Sequence, residues 1–176
     1  YILATTTTIC SGTAFTVTPT NGSGNIVPSG TTYTWTTPVS NPITAITGGT
    51  PQATGVATIN QTLTNTTTAA ATLEYTVTPT SGACAGTPFT ITVTVNPTPT
   101  TLGLTNQTYC NAVPTTEVVL TNGVSGTTYA WTNFNTAIGL AASGTGNIPV
   151  FTTTNSTTAP ITATISIIAT ANGCSR

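Results

Sequence analysis

Residues 71–95 read ATLEYTVTPTSGACAGTPFTITVTV. Apolar residues fall at every second position, Leu73, Tyr75 and Val77 before the central cysteine and Phe89, Ile91, Val93 and Val95 after it, with Thr in most of the places between. A period of two puts all the apolar side chains of a strand on one face. Thr, being β-branched, suits the opposite, half-buried pleated face and loses rotamer freedom in a helix. The intervening PTSGACAGTP supplies turn residues. The stretch therefore predicts two strands, each with one face buried and one solvated, the pattern of an antiparallel sheet.

The same alternation extends outward. Phe15 and Val17 form one short row, and Tyr33 and Trp35 another, with TNGSGN, SNP and TPTSG as turn punctuation. Of the 176 residues 52 are Thr, and the only Ala-rich patch, Ala69 to Ala71, lies inside a Thr-rich run. An all-β chain is the expectation, with no helix of useful length.

The chain also repeats itself. Cys10, the triplet YTW (Tyr33 to Trp35) and Cys84 are followed by Cys110, YAW (Tyr129 to Trp131) and Cys174, at offsets of 100, 96 and 90 residues. ATLEYTVTPTSGAC ends at Cys84 as ITATISIIATANGC ends at Cys174, setting Tyr75 and Val77 opposite Ile165 and Ile167. A fixed period of this length marks repeated domains. Two tandem antiparallel β-sandwiches are predicted, over residues 1–96 and 102–176, with the Pro-rich 97–101 as a short semi-rigid linker. Tyr and Trp two apart on one strand share a face, so Tyr33, Trp35, Tyr129 and Trp131 are expected to anchor the two cores. Phe134 is expected in an exposed loop.

Four widely spaced cysteines without His or a CxxC pair fit structural disulfides better than a metal or redox site, and point to an oxidising, extracellular compartment. Four cysteines allow three connectivities. Cys10–Cys84 with Cys110–Cys174 preserves the equivalence of the repeats and is the expected one, each bond contributing roughly 4 kcal/mol on the chain-entropy model.

Charge is nearly absent. Glu74 and Glu117 are the acids, Arg176 is the one base, and Asp, Lys and His are missing. Nucleic acid or an anionic membrane surface requires clustered Lys and Arg, so neither is an expected partner. No acid–base pair, nucleophile or metal-ligand set can be assembled from this inventory, and the expectation is a non-enzyme without metal, calcium or other cofactor. No run reaches the roughly 18 apolar residues of a spanning helix. The start lacks the basic region and cleavage site of a signal peptide, as expected of a mature internal fragment. Thr rows without a short solenoid period do not read as an ice-binding face. The sequons at Asn21, Asn60, Asn65, Asn106 and Asn155 leave glycosylation open, since Asn and Thr are so common here.

ICSGTAFTVTP at 9–19, TTYTWTTP at 31–38 and YTVTPTSGACAGTPFTITVTVNPTP at 75–99, with the weaker YCNAVPTTEVVL and TTYAWTN in the second unit, resemble the PKD-like, immunoglobulin-like repeats of very large cell-surface proteins of the Bacteroidota. The resemblance covers essentially the whole chain, and its motifs are structural. It implies export by type IX secretion and adhesion, as in SprB-like gliding-motility adhesins built from many such repeats. The expected role is a repeat in an extracellular stalk or filament at the cell surface, its partners further repeats or identical subunits. Alternatives are a carbohydrate-binding module contacting surface glycans, or a pilus-like subunit. In the pilus-like case a neighbour's strand, with YILATTTT as candidate donor, would complete the second unit. That unit has no counterpart to GTPFTITVTV, either because the polypeptide continues or because it ends at Arg176.

Overall fold

The computed structural model describes residues 1–100 and 102–176; Thr101, the last residue of the expected linker, lies outside them. The chain divides into two compact units, Tyr1–Pro97 and Thr98–Arg176.

In the first unit the strands are β1 (Thr5–Cys10), β2 (Thr13–Val17), β3 (Thr32–Trp35), β4 (Val39–Asn41), β5 (Ile46–Thr47), β6 (Gln52–Val56), β7 (Ile59–Asn65), β8 (Ala71–Ser81), β9 (Cys84–Ala85) and β10 (Phe89–Asn96). One sheet runs in the order β1-β10-β8-β3-β6, with β4 and β9 also on β8, and a smaller one runs β2-β7-β5. The alternating stretch at 71–95 is the spine of the large sheet: β10 and β8 pair antiparallel from Phe89↔Val77 to Val95↔Ala71. Tyr75, Val77, Ile91, Val93 and Val95 are fully buried, while Glu74 between them is exposed, as the period of two requires. From the smaller sheet Phe15, Ile46, Ile59 and Leu63 join the same core, with the Phe15 ring 5.2 Å from that of Tyr75. Two layers over one apolar core make a β-sandwich.

One pairing departs from the antiparallel expectation. β1 lies parallel to β10, from Thr5↔Ile91 to Cys10↔Asn96. Parallel neighbours need a long crossover between them, and the whole of the unit separates these two strands. The opening YILATTTT thus belongs to its own unit's sheet, with Ile2 buried in the core.

The second unit contains β11 (Thr128–Asn133), a 3₁₀ turn (Thr136–Ile138), β12 (Ser143–Thr145), β13 (Ile165–Ala171) and β14 (Cys174–Ser175), its sheet ordered β12-β11-β13-β14. Opposite this sheet the pairing among the described residues is limited to the isolated bridges Pro114↔Thr152 and Val118↔Ile148. The buried cluster there is Trp131, Leu140 and Ile148. The expected face-to-face sheets therefore hold for the first unit, whereas in the second the facing layer is irregular backbone. Prolines and small polar residues between 98 and 127 leave few alternating apolar positions there.

Candidate functional site

Of the four expected core anchors, Tyr33, Trp35 and Trp131 are buried. Trp35 donates its indole N–H to the Thr50 carbonyl at 2.8 Å, and its ring meets Tyr75 edge-on at 6.1 Å. Trp131 lies against Gly144, where a Cβ would come within 2.2 Å of the indole. Tyr129 departs from the expectation: it is only half-buried and lines a shallow concavity with Thr127, Thr128, Ala130, Thr145, Gly146 and Thr170. Tyr129 stands where Tyr33 packs edge-on against Phe89 of β10, and among the described residues of the second unit no strand corresponds to β10. Phe134 is 70% exposed, as its loop position predicts.

Burial raises the Tyr33 and Tyr75 hydroxyls above the ordinary tyrosine range. Tyr109 is lowered instead, because the Thr116 hydroxyl and amide hydrogen-bond to its oxygen. Glu74 and Glu117 are exposed and lie in different units; Glu117 accepts a hydrogen bond from the Asn147 amide at 3.0 Å.

The cysteines correct the expected pairing. Cys84 and Cys110 are exposed free thiols, whereas Cys10 and Cys174 are disulfide-bonded. Register explains why neither Cys10–Cys84 nor Cys110–Cys174 forms. Cys10 faces Asn96, one step beyond Val95↔Ala71, whereas Cys84 faces Ser81 at the far end of β8. The 11-residue β8 separates them, about 30 Å at roughly 3.3 Å per residue, against the Cα separation of about 7 Å that a disulfide tolerates. In the second unit Cys174 faces Ala171, beyond Thr128↔Thr170. Cys110 accepts from Thr153, whose neighbour Thr154 is bonded to Ala137 and Ile138 of the 3₁₀ turn, past the Asn133 end of β11. The length of β13 keeps these two apart as well.

Each unit thus has two poles with matching chemistry. At the hairpin pole, Cys84 and Cys174 follow two-residue turns, Gly82–Ala83 and Asn172–Gly173. Asn172 and Gly173 have φ of 51° and 78°, the left-handed pair that a type I′ turn requires. At the opposite, loop pole, Cys10 and Cys110 are followed two residues later by left-handed Gly12 and Ala112, φ 84° and 60°.

Beside the loop pole lies a motif that the sequence reading missed, NTTTA at 65–69 and NSTTA at 155–159. Asn65 donates its side-chain amide to Ala69 and accepts from the Thr67 amide and hydroxyl; Asn155 makes the same three bonds to Ala159 and Thr157. The residue after each loop-pole cysteine ties in, Ser11 accepting from the Asn65 amide at 2.9 Å and Asn111 from the Asn155 amide at 2.8 Å. The spacing of 90 residues was the available signal. Asn65 is buried, so its sequon is spent on this loop.

The second unit also carries a groove of about 210 Å³, lined by Thr100, Leu102, Leu104, Ile165, Ile167, Ala169 and Arg176. Its β13 residues, Ile165, Ile167 and Ala169, share one face of that strand, and β13 pairs with β11 on one edge and, at its end, with β14 on the other. In the first unit the corresponding edge of β8 is filled by β10.

No helix among the described residues is long and apolar enough to cross a membrane, which says nothing of strands crossing as a barrel. A comparison with curated proteins gives no match. A family model for the PKD-like domain matches residues 7–99, more than half of the 176 residues and nearly the whole first unit, including both of its sheets and both of its cysteines. The chain belongs to the PKD-like domain family.

Proposed function

We propose that this chain is a stretch of an extracellular bacterial stalk or filament in which PKD-like repeats, strung in series, hold an adhesive or gliding surface away from the cell, with type IX secretion as the export route. The supporting observation is the path of the first unit. β1 runs toward the loop pole and β10 leaves the unit at that same pole, beside Cys10, while the chain start lies toward the other end. A unit threaded from pole to pole can be chained without doubling back. The hydroxyl-rich, nearly uncharged surface suits a spacer, and a disulfide persists in the oxidising space outside the cell. Fusions of one, two and four copies of the chain, measured by small-angle X-ray scattering, are expected to lengthen in proportion to copy number. A maximum dimension that grows only as a compact globule would end the stalk reading.

The groove beside β13 favours a second reading, a subunit polymerised by strand addition. There a strand with apolar residues at alternate positions would seat against Ile165 and Ile167. Polymers that form with Cys84 and Cys110 both replaced by Ser, and that dissolve on adding a competing strand peptide, would mark that mode. Sugar stacking on Trp35 and Trp131 has little support, since both rings are buried.

A further inference from the structure

The four cysteines fall into two classes by pole, Cys84 and Cys174 at the hairpin pole and Cys10 and Cys110 at the loop pole. Strand length keeps the two members of a unit from bonding to each other. A bond from Cys84 or from Cys110 must therefore go to a thiol other than the second cysteine of its own unit. One cysteine of each class, Cys174 and Cys10, is disulfide-bonded, and one of each class, Cys84 and Cys110, is an exposed free thiol.

We propose that Cys84 and Cys110 are the two halves of a covalent junction between PKD-like repeats, a hairpin-pole thiol of one repeat bonding to a loop-pole thiol of another. Three observations carry it. The classes are set by local structure, a two-residue hairpin before one cysteine and a left-handed turn after the other, so each repeat presents one thiol of each kind. The other member of each class, Cys174 and Cys10, is disulfide-bonded. Both remaining thiols are at the surface, where a second repeat can approach. The placement depends on the geometry of each unit alone and stands whether or not the array serves in adhesion.

Bond formation needs an oxidant, and a low-molecular-weight disulfide supplies it. The Cys84 thiolate attacks that disulfide, expelling one thiol and leaving a mixed disulfide, which the Cys110 thiolate of another repeat then displaces, releasing the second thiol. The two protein thiols lose two protons and two electrons, and the oxidant takes them up as two thiols. A junction so closed resists pulling and proteolysis independently of the weak contacts around it.

The test uses the whole chain, with a second copy of it as the probe. A mixture of ¹⁴N- and ¹⁵N-labelled chains is oxidised with glutathione disulfide at several concentrations, run on non-reducing gels and mapped by mass spectrometry. The expected result is a ladder that grows with concentration and collapses on reduction, with Cys84–Cys110 peptides carrying one light and one heavy half. Cys84→Ser and Cys110→Ser should each lose the ladder, and mixing the two variants should restore a dimer and nothing longer. Three results would each overturn the proposal: homodimers of a single variant as abundant as the wild-type ladder, a Cys84–Cys110 bond within one copy that is independent of concentration, or thiols that stay reduced. The isotope map on wild-type chain decides the matter even if a variant folds poorly.

Discussion

Trp35 and Trp131 occupy corresponding strands and are buried to a similar extent, yet their indole N–H groups fare differently. That of Trp35 reaches the Thr50 carbonyl at 2.8 Å, whereas that of Trp131 is buried with no partner among the described residues. A buried donor left unmatched costs about 1–3 kcal/mol, while a matched one contributes about 1 kcal/mol. Trp35→Phe should therefore lower the stability of the first unit, by roughly 1–3 kcal/mol once lost ring volume is included. Trp131→Phe should cost its unit less, and denaturant titration of the two variants gives the comparison. Tyr75 bears on pH in the same unit. Burial raises its hydroxyl pKa above that of the unfolded chain, near 10. Above pH 10 the native state then holds a proton that the unfolded state has released, so stability is full below pH 10 and falls as pH rises beyond it. Tyr75→Phe should lose about 1 kcal/mol at neutral pH, from the 2.8 Å bond to Gln61, and should show a shallower alkaline decline in thermal melts. At this scale the period of two assigns faces directly, and Tyr33, Trp35 and Trp131 are buried, whereas Tyr129 on the same face as Trp131 is only half-buried. The sequence said nothing of Thr50 or Gln61, whose contacts arise only once distant strands meet.

At the scale of elements, β8 and β10 were legible residue by residue, since each carries its own alternation of Thr with Tyr, Val, Ile or Phe. β1 was not, because TTTT has no apolar row and its parallel pairing to β10 depends on a partner 86 residues away. The cysteine pairing failed for a related reason: equivalence between repeats constrains which pairs match, but only register shows that β8 holds Cys10 and Cys84 at opposite ends. Register also makes a prediction for the second unit. The groove lined by Leu102, Leu104, Ile165 and Ile167 should accept a strand of the β10 type. Extending the chain past Arg176, which stands at the Gly86 position, with a copy of residues 87–97, TPFTITVTVNP, should raise the melting temperature of the second unit by about 5 °C, the shift that roughly 1 kcal/mol produces in a unit of this size. A control extension with the Thr and apolar positions exchanged turns every apolar side chain to the wrong face. Equal stabilisation by both would show that the groove does not read strand alternation.

Over the whole molecule the two units are unequal partners built on one repeat. Sixteen buried residues form the core cluster of the first unit and three that of the second, among the described residues. Buried apolar surface stabilises by about 25 cal/mol per Å², and Asn65 adds a buried bond to the Val95 carbonyl in the first unit, so the difference between the units decides the order of unfolding. Calorimetry of the intact chain should show two transitions, the second unit melting first, instead of one cooperative event. Fluorescence assigns them, because each unit holds a single tryptophan: Trp35→Phe leaves Trp131 to report the lower transition, and Trp131→Phe leaves Trp35 to report the upper one. A single transition seen identically by both tryptophans would mean that the smaller core is supported by something outside its own unit, and the stability of each PKD-like repeat would then belong to the array.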